Sequence, residues 1–173
     1  MDILIFSDSH GHGYEMERAL RRQLRRPDLI LFLGDGARDL WTADLAGTPT
    51  RAVCGNCDLF WGELPFPCPE EDLFTVEEHR ILMTHGHRYR VKGGLGALLH
   101  RAAEVDAHVV LFGHTHEPLE QTLPAGTQVG NTVFSHPVTL FNPGSIGHGG
   151  SFGTLHVTES GVLLSHGTLD TAP

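Results

Sequence analysis

The chain has 173 residues, of which 40% are hydrophobic and 19% are charged, and its formal net charge at pH 7 is −9. This length suits a sizeable core, and we expect residues 1–173 to form a single domain. The acidic balance argues against stable nucleic-acid binding through a broad basic surface, and no apolar run is long enough to cross a bilayer.

The N-terminal part of the chain predicts a buried strand followed by an amphipathic helix. Residues 2–7 form a short apolar run, and apolar residues at helical spacing predict a helix over residues 14–26. Asp8 and His10 lie between these elements, two residues apart, where both side chains can reach one metal ion. The alternative is that Asp8 or Ser9 only caps the helix.

An acid or an amide also follows each of the next two predicted strands. Residues 28–33 form the second buried strand, and Asp35 comes after it between two glycines. Residues 51–53 form the third strand, which Asn56 follows as a candidate neutral oxygen ligand. Because ligand sites collect at the carboxyl ends of strands in open α/β sheets, these residues are candidates for one site.

Cys54 and Cys57 have the spacing of a redox or zinc pair. A thioredoxin-like pair would open a helix, and a structural zinc would need a second pair, which three cysteines cannot supply. We therefore interpret Asn56 as the functional residue of this segment. The odd number of cysteines and the absence of an apolar leader predict a reducing, cytoplasmic setting.

Residues 59–72 are rich in proline, acids and aromatic residues and predict a connecting loop. Phe60 and Trp61 either form an exposed patch, which a homo-oligomer could use, or pack at the edge of the core. Both alternatives fit the sequence, because aromatic rings serve interfaces and core edges alike.

A fourth strand end carries a histidine. Residues 73–76 and 80–83 alternate in the way that predicts a hairpin, and His85 follows the second strand within the motif T-H-G-H. Apolar spacing then predicts a helix over residues 93–105.

The fifth strand end carries two histidines. Residues 109–112 predict a buried strand, and Gly113 marks its end, because glycine can turn there without a steric cost. His114 and His116 follow on the same loop and face the same space. Two imidazoles at a rigid strand end suggest a metal site.

Helical periodicity disappears after this point, and short strands alternate with turns. We expect these strands to be antiparallel and residues 168–173 to form a frayed tail. Asn142-Pro143-Gly144-Ser145 is a further turn at a strand end. The predicted strands cover residues 119–123, 128–134, 138–141, 151–157 and 161–166.

Together the five strand ends carry seven potential ligands with nitrogen or oxygen donors: Asp8, His10, Asp35, Asn56, His85, His114 and His116. Seven ligands with one shared carboxylate make two sites of four, and metals bridged in this way lie roughly 3.5–4 Å apart. This donor mixture suits Mn, Fe, Ni or Zn better than Ca or Mg. We expect two divalent ions, with Mn first among them and Ni, Fe, Zn or Mg as alternatives.

The motifs D-x-H, G-D, G-N-x-D, T-H-G-H and G-H-T-H, in this order from Asp8 to about Ser145, resemble those of the calcineurin-like metallophosphoesterases. The small size resembles the compact bacterial and archaeal phosphodiesterase subgroup. The resemblance implies an α/β fold, a four-layer α/β/β/α sandwich with two mixed sheets. It also implies two ligand sets: Asp8, His10, Asp35 and His116 for the first metal, and Asp35, Asn56, His85 and His114 for the second.

The chemistry implied is hydrolysis of a small phosphate ester, most readily a diester, by a hydroxide that bridges the two metals. Asp35, Asn56 and His85 are the catalytic residues that the resemblance implies. In larger members of the superfamily a histidine follows the metal-binding asparagine, whereas Cys57 follows it here. The proton donor is therefore open among His12, His87 and His148.

One alternative function and one question about substrate selection remain open at this stage. A retromer scaffold subunit resembles the family but has lost part of the ligand set, so an inactive scaffold of the same fold is possible. The residues that select the substrate are also open, with His12, Arg38, Trp61, Tyr89 and Arg90 as candidates around the mouth of the site.

Overall fold

The computed structural model describes residues 1–60, 62 and 64–169, and it confirms the predicted α/β class. The side chain of Trp61 and the predicted tail beyond residue 169 lie outside this part of the chain. Within it, no helix combines the length and the apolar character that crossing a membrane requires.

Apolar runs form the strands, and helices with one apolar face cover them. Short 3-10 turns occupy Asp58–Phe60, His87–Tyr89 and Val91–Gly93. In chain order the described helices and strands are β1 (Asp2–Phe6), α1 (Gly13–Arg21), β2 (Leu29–Phe32), α2 (Asp39–Thr42), β3 (Thr50–Ala52), β4 (Glu71–Val76), β5 (His79–Thr84), α3 (Gly96–Glu104), β6 (Val109–Leu111), β7 (Leu119–Leu123), β8 (Gln128–Val129), β9 (Thr132–Val133), β10 (Val138–Asn142), α4 (Ile146–Gly149), β11 (Ser151–Thr158) and β12 (Gly161–Thr168).

The described strands form two mixed sheets of five strands each and one small hairpin. In the first sheet, ordered β12-β11-β1-β2-β3, strands β1, β2 and β3 are parallel and β11 and β12 are antiparallel to their neighbours. In the second, ordered β4-β5-β6-β10-β7, strands β5, β6 and β10 are parallel. The antiparallel pairing predicted for the second half is right for β7 with β10 and for β11 with β12, but β10 also pairs in parallel with β6.

Three apolar clusters hold the layers together. The cluster between the sheets contains Ile5 and Leu31 from the first sheet and Met83 from the second. Met16 of α1 packs in the cluster on the outer face of the first sheet, and Leu98 of α3 packs in the cluster on the outer face of the second. The layers therefore run α1, first sheet, second sheet, α3, which confirms the predicted sandwich.

The helix predicted over residues 14–26 ends earlier, at Arg21. The Gln23 side-chain amide donates a hydrogen bond of 2.9 Å to the Ala19 carbonyl, which closes the end of the helix. Leu24, which its spacing assigned to the buried face, is fully exposed. No apolar contact therefore holds a further turn of helix, and most helical stability depends on such packing.

The strand predicted over residues 128–134 is instead the hairpin of β8 and β9, which packs against α3. Gly130 has a φ of 58°, and Gly130-Asn131 is the turn between the two strands. Gly-Asn is a known signal for a two-residue hairpin turn. The turn was therefore predictable from these two residues, although the hydrophobic periodicity of residues 128–134 does not show it.

Two other predicted bounds are wrong for local reasons. The helix predicted from residue 93 begins at Gly96, because Val91–Gly93 forms a 3-10 turn and Gly94 has a φ of 136°. The loop predicted over residues 59–72 is shorter, since Glu71 and Asp72 belong to β4. Phe60 in that loop is 83% exposed, which favours the exposed patch over core packing for this ring.

A disulfide joins Cys54 to Cys68, and Cys57 is a free thiol. This bond is not predictable from the cysteine spacing, because residues 14 positions apart are paired only by the fold of the intervening loop. The Cys54 N–H also donates to the Pro69 carbonyl at 2.8 Å, so the loop is attached to the end of β3 twice. The expected reducing setting remains a prediction.

We expect His108 to make the stability of the fold depend on pH. Its Nδ1 accepts the Arg80 N–H at 3.1 Å, and its ring stacks on His136 with a centroid distance of 3.9 Å. Burial and the nearby imidazoles of His136 and His79 lower the pKa of His108 from its usual value of 6.5. The unfolded chain therefore takes up this proton at a higher pH than the folded chain, and the free energy of unfolding should fall as pH drops below about 6.5.

Urea unfolding of the wild type and of His108→Asn across this pH window measures the effect. An asparagine oxygen can still accept the Arg80 N–H, but it does not titrate. The wild type should lose more stability than the variant on acidification, and equal slopes of stability against pH would contradict the assignment. The contact of His136 Nε2 with Asp106 Oδ1 at 3.0 Å is present in both proteins.

Candidate metal centre

The carboxyl ends of the parallel strands in both sheets meet at one region of the molecule, and the structure brings six of the seven predicted side chains into contact there. One group lies at the ends of β1 and β6, where His10 Nε2 is 3.3 Å from His116 Nε2 and His116 Nε2 is 3.2 Å from Asp8 Oδ1. Asp35, which follows β2, belongs to a second group together with His85 and His114.

The second group is equally close. His85 Nε2 is 3.2 Å from Asp35 Oδ2 and 3.2 Å from His114 Nδ1. Asp35, His85 and His114 each offer a ligand atom within 4.8 Å of the others. Asn56 lies next in the chain to Cys57, whose N–H donates to Asp35 Oδ1 at 2.8 Å.

The backbone at the site is strained. Left-handed φ values are uncommon for residues other than glycine and cluster at functional sites, where the surrounding structure holds them. Five of the seven predicted ligands adopt this conformation: Asp8 at 54°, His10 at 45°, Asp35 at 58°, His114 at 68° and His116 at 62°.

Gly113 is required for a different reason from the one predicted. A Cβ at this position would lie 1.9 Å from Ser7 Oγ and 2.8 Å from Asp8 Oδ2, so glycine permits a close approach of two strand ends. The left-handed turn falls on the next residue, His114. Its N–H donates to Asp8 Oδ2 at 3.1 Å, which ties the ends of β1 and β6 together.

His85 is oriented by a hydrogen bond to the backbone. Its Nδ1 is 2.7 Å from the Leu33 carbonyl and donates to it, so Nε2 is the ring nitrogen that faces Asp35. A backbone acceptor of this kind is the usual partner of a metal-binding imidazole. Burial opposes protonation of His85, but the hydrogen bond to Asp35 and the charges of Asp8 and Asp35 outweigh it and raise its pKa.

Two of the other imidazoles, those of His114 and His10, have a lowered pKa. Burial, followed by the neighbouring His85 and Lys92, lowers the pKa of His114 to about 4. Burial also lowers the pKa of His10, against the opposing charges of Asp8 and Asp35. Neutral imidazoles are the form that binds a metal ion.

Two buried oxygen atoms at the centre have no hydrogen-bond partner within the described residues: Asp8 Oδ1 and Asn56 Oδ1. The other carboxylate oxygen of Asp8 accepts from Ser7 Oγ and from the His114 N–H. Leaving a buried charged oxygen unpaired is costly unless a ligand satisfies it. The donor set and these two unpartnered oxygens fit divalent metal ions.

The capping alternative for Asp8 and Ser9 is wrong. The residue that caps α1 is His12, and no side chain makes a capping hydrogen bond there. Ser9 Oγ instead donates to Asp39 Oδ2 at 2.5 Å, and the same Asp39 oxygen accepts the Gly11 N–H. This segment is therefore shaped by contacts with α2 rather than by the helix that follows it.

Asp58 organises the site, although it is not among the seven predicted ligands. The residue is buried, with 6% of its surface exposed. Its carboxylate accepts hydrogen bonds from four backbone N–H groups at 2.8 to 2.9 Å. The donors are Asp35, Gly36, Ala37 and Gly55. The signal was available, because Asp58 is the aspartate of the motif G-N-x-D.

Asn142 has a similar role on the other sheet. Its side chain is fully buried, donates to the Gly113 carbonyl and to Thr115 Oγ1, and accepts the Gly144 N–H. It therefore joins the loop of His114 and His116 to the turn at residues 142–145. The turn was noted in the sequence, but its supporting function depends on β10 lying beside β6.

A cleft of about 480 Å³ opens beside the first group of ligands. Arg38, a predicted residue of the mouth, lines it together with His10 and Cys57. Burial, followed by the hydrogen bond and charge of Asp35, raises the pKa of Cys57 to about 11. Tyr89 was also predicted at the mouth, but its hydroxyl donates to Glu71 and it lines a separate pocket.

The fold and the site together define a metal-dependent phosphoesterase architecture. Residues 1–164 match the family model of the calcineurin-like phosphoesterase superfamily domain, and the chain belongs to this superfamily. It is a metallophosphoesterase-family phosphoesterase, and the family implies divalent metal ions.

Particular relatives support this assignment. Over 146 residues the chain is 36% identical to the probable metallophosphoesterase YsnB of Bacillus subtilis, which covers 84% of this chain and 75% of that one. An archaeal phosphodiesterase has a similar structure, with a TM-score of 0.67, 20% identity and coverage of 96% and 99%. Wild-type Vps29 of Entamoeba histolytica complexed with Zn²⁺ is also similar, with a TM-score of 0.68, 20% identity and coverage of 100% and 95%. At these identities the two structures show the fold alone.

Proposed function

We propose that this protein is a phosphodiesterase that uses two divalent metal ions. The first ion would be held by Asp8, His10, Asp35 and His116, and the second by Asp35, Asn56, His85 and His114. Asp35 is the shared ligand in this assignment, since it lies 3.2 Å from His85 while its neighbours in space include His10.

The observation that supports the proposal most is a pair of buried oxygens that accept no hydrogen bond within the described residues: Asp8 Oδ1, which faces His116 Nε2 at 3.2 Å, and Asn56 Oδ1. Each belongs to a different one of the two proposed ligand sets. A protein that used this surface only as a scaffold would gain nothing from keeping a buried carboxylate oxygen and a buried amide oxygen unsatisfied.

When bound, two such cations supply a water of lowered pKa as the nucleophile and positive charge for the phosphate oxygens. The chain's own residues hold the ester in position. Arg38 lines the cleft beside the first group and offers a guanidinium to an anionic phosphate oxygen. The Asn56 side chain follows β3 at the same centre and helps to offset the negative charge that develops on the equatorial phosphate oxygens.

The properties of Cys57 favour diesters with good leaving groups. Cys57 follows Asn56 where larger relatives have a histidine, and with a pKa of about 11 its thiol is a weak proton donor near neutral pH. Of the three imidazoles predicted as proton donors, we propose His12 or His87 for this role. An aryl phosphodiester needs that proton least, because an aryloxide leaves readily.

Several further properties belong to the same proposal. We infer that residues 1–173 act as one domain on a small phosphate ester, without stable nucleic-acid binding, and that the exposed Phe60 ring is available to a homo-oligomer. A cytoplasmic location is also proposed, although the Cys54–Cys68 disulfide counts against a reducing compartment.

The second candidate function is an inactive scaffold, which the fold shared with Vps29 allows. It predicts no hydrolysis whatever metal is added. The filled set of seven donors and the two unpartnered oxygens count against it.

The test is hydrolysis of a chromogenic aryl phosphodiester by purified protein before and after removal of metal with EDTA. Mn²⁺ is the first ion to add back, followed by Ni²⁺, Fe²⁺, Zn²⁺ and Mg²⁺. We expect hydrolysis to disappear with EDTA, to return with metal, and to be faster for the diester than for the matching monoester. Full activity after exhaustive EDTA treatment, or none with any of these ions, would overturn the proposal.

A further inference from the structure

A third imidazole lies against the first group of ligands. His148 of α4 is outside the seven predicted ligands, yet its ring stacks on His116 with a centroid distance of 5.2 Å and an interplanar angle of 25°. Its ring is also 5.1 Å from that of His10 in an edge contact. His10, His116 and His148 each offer a ring nitrogen within 4.8 Å of the others.

Short contacts fix His148 in this position. The backbone N–H of His148 donates to Ser145 Oγ at 3.0 Å, and the ring Nδ1 lies 3.4 Å from the same oxygen. Ser145 Oγ in turn donates to the Asp8 carbonyl at 2.8 Å. The backbone that carries one proposed ligand, Asp8, therefore positions the imidazole of His148 as well.

The helix that carries His148 is also held at the end of β1. The Ile146 and Gly147 N–H groups donate to the Ser7 and Asp8 carbonyls at 3.0 and 3.2 Å. A Cβ on Gly147 would lie 2.3 Å from the Ser9 carbonyl oxygen, so glycine allows α4 to approach this closely. Hydrogen bonding of Nδ1 to Ser145 leaves Nε2 as the atom available to a ligand.

We propose that His148 is an additional ligand of the first metal ion, beside Asp8, His10, Asp35 and His116. The proposal rests on the two-metal function proposed above. It makes the first position richer in imidazole than the second, with His10, His116 and His148 against His85 and His114. Imidazole suits Zn²⁺ and Ni²⁺, whereas Mg²⁺ prefers oxygen donors. The first position should therefore bind Zn²⁺ and Ni²⁺ in preference to Mg²⁺.

His12 provides a matched control. It also lies near this group, with its ring 6.2 Å from that of His148, but its Nδ1 contacts the Ser9 carbonyl at 3.0 Å. Within the described residues it belongs to no group of ligand atoms close enough to share an ion.

The experiment measures metal binding without any assay of activity. Metal-free wild type, His148→Ala, His148→Phe and His12→Ala are titrated with Zn²⁺ in competition with a chromophoric chelator, and Co²⁺ absorption spectra are recorded for each. Phenylalanine keeps a ring to stack on His116 but has no nitrogen, so this variant separates ligation from packing. Unfolding of each metal-free protein confirms that the variants are folded.

We expect both His148 variants to bind one of two Zn²⁺ ions roughly 10- to 100-fold more weakly, by analogy with the loss of supporting groups at metal sites. Their Co²⁺ spectra should change, Mg²⁺ binding should change less, and His12→Ala should match the wild type. If both variants bind two Zn²⁺ ions with wild-type affinity and give wild-type Co²⁺ spectra, His148 is not a ligand. That result would leave the two-metal function untouched. A wild type that binds fewer than two ions would instead overturn the two-metal function itself.

Discussion

Asp35→Asn should reduce metal-dependent cleavage of an aryl phosphodiester to the level of the metal-free protein. Asparagine has nearly the same shape but no charge, and one of its two terminal atoms is a donor. Asp35 Oδ2 lies 3.2 Å from His85 Nε2, and Oδ1 accepts the Cys57 N–H. The substitution therefore removes the one negative charge that the proposal assigns to both ions.

The measurement combines turnover with metal content. Asp35→Asn should bind neither ion tightly, whereas His85→Ala should lose activity and only the second ion, because the first set does not include His85. Glu159→Gln removes a negative charge from the exposed turn between β11 and β12 and is the charge-matched control. Normal turnover by either purified site variant would refute the proposed site.

Asp58→Asn should destabilise the protein and weaken its metal binding although Asp58 is in neither ligand set. The buried carboxylate accepts N–H groups from Asp35, Gly36, Ala37 and Gly55. An asparagine offers one oxygen and turns an NH₂ group toward N–H donors. Hydrogen bonds to charged groups and unsatisfied buried donors each cost about 1–3 kcal/mol, so the free energy of unfolding should fall by roughly 2–5 kcal/mol.

Urea unfolding of the metal-free protein tests the first effect, and competition with a chelator tests the second. The matched control is Asp72→Asn. This aspartate pairs with Arg51 at 2.7 Å on a partly exposed surface, and its loss should cost about 1 kcal/mol or less. An Asp58→Asn variant as stable as Asp72→Asn would show that the four N–H groups find other acceptors.

Much of the architecture was predictable because strands and their ends are local features. Short apolar runs identified β1, β2, β5 and β6. The polar side chains that follow each run identified candidate ligands. Parallel strands of one sheet share an edge, so Asp8 and Asp35, which follow the neighbouring strands β1 and β2, could be predicted to lie together. The order of the five motifs added the family, which the match over residues 1–164 then showed.

Element ends and the supporting contacts were not predictable in the same way. The end of α1 at Arg21 and the exposure of Leu24 depend on what packs against the helix, which its own periodicity does not contain. The pairing of Cys54 with Cys68 likewise depends on the path of the loop between them.

The amino-acid sequence by itself determined the class of fold and the family and predicted the seven candidate donor residues, because apolar period and motif order are written along the chain. Only the tertiary structure decided which donors are neighbours and what holds them. Asp58 gathers N–H groups from two strand ends, and His148 reaches His10 and His116 through α4. Contacts of this kind join segments that are distant in sequence, so they exist only once the sheets and their connections are assembled.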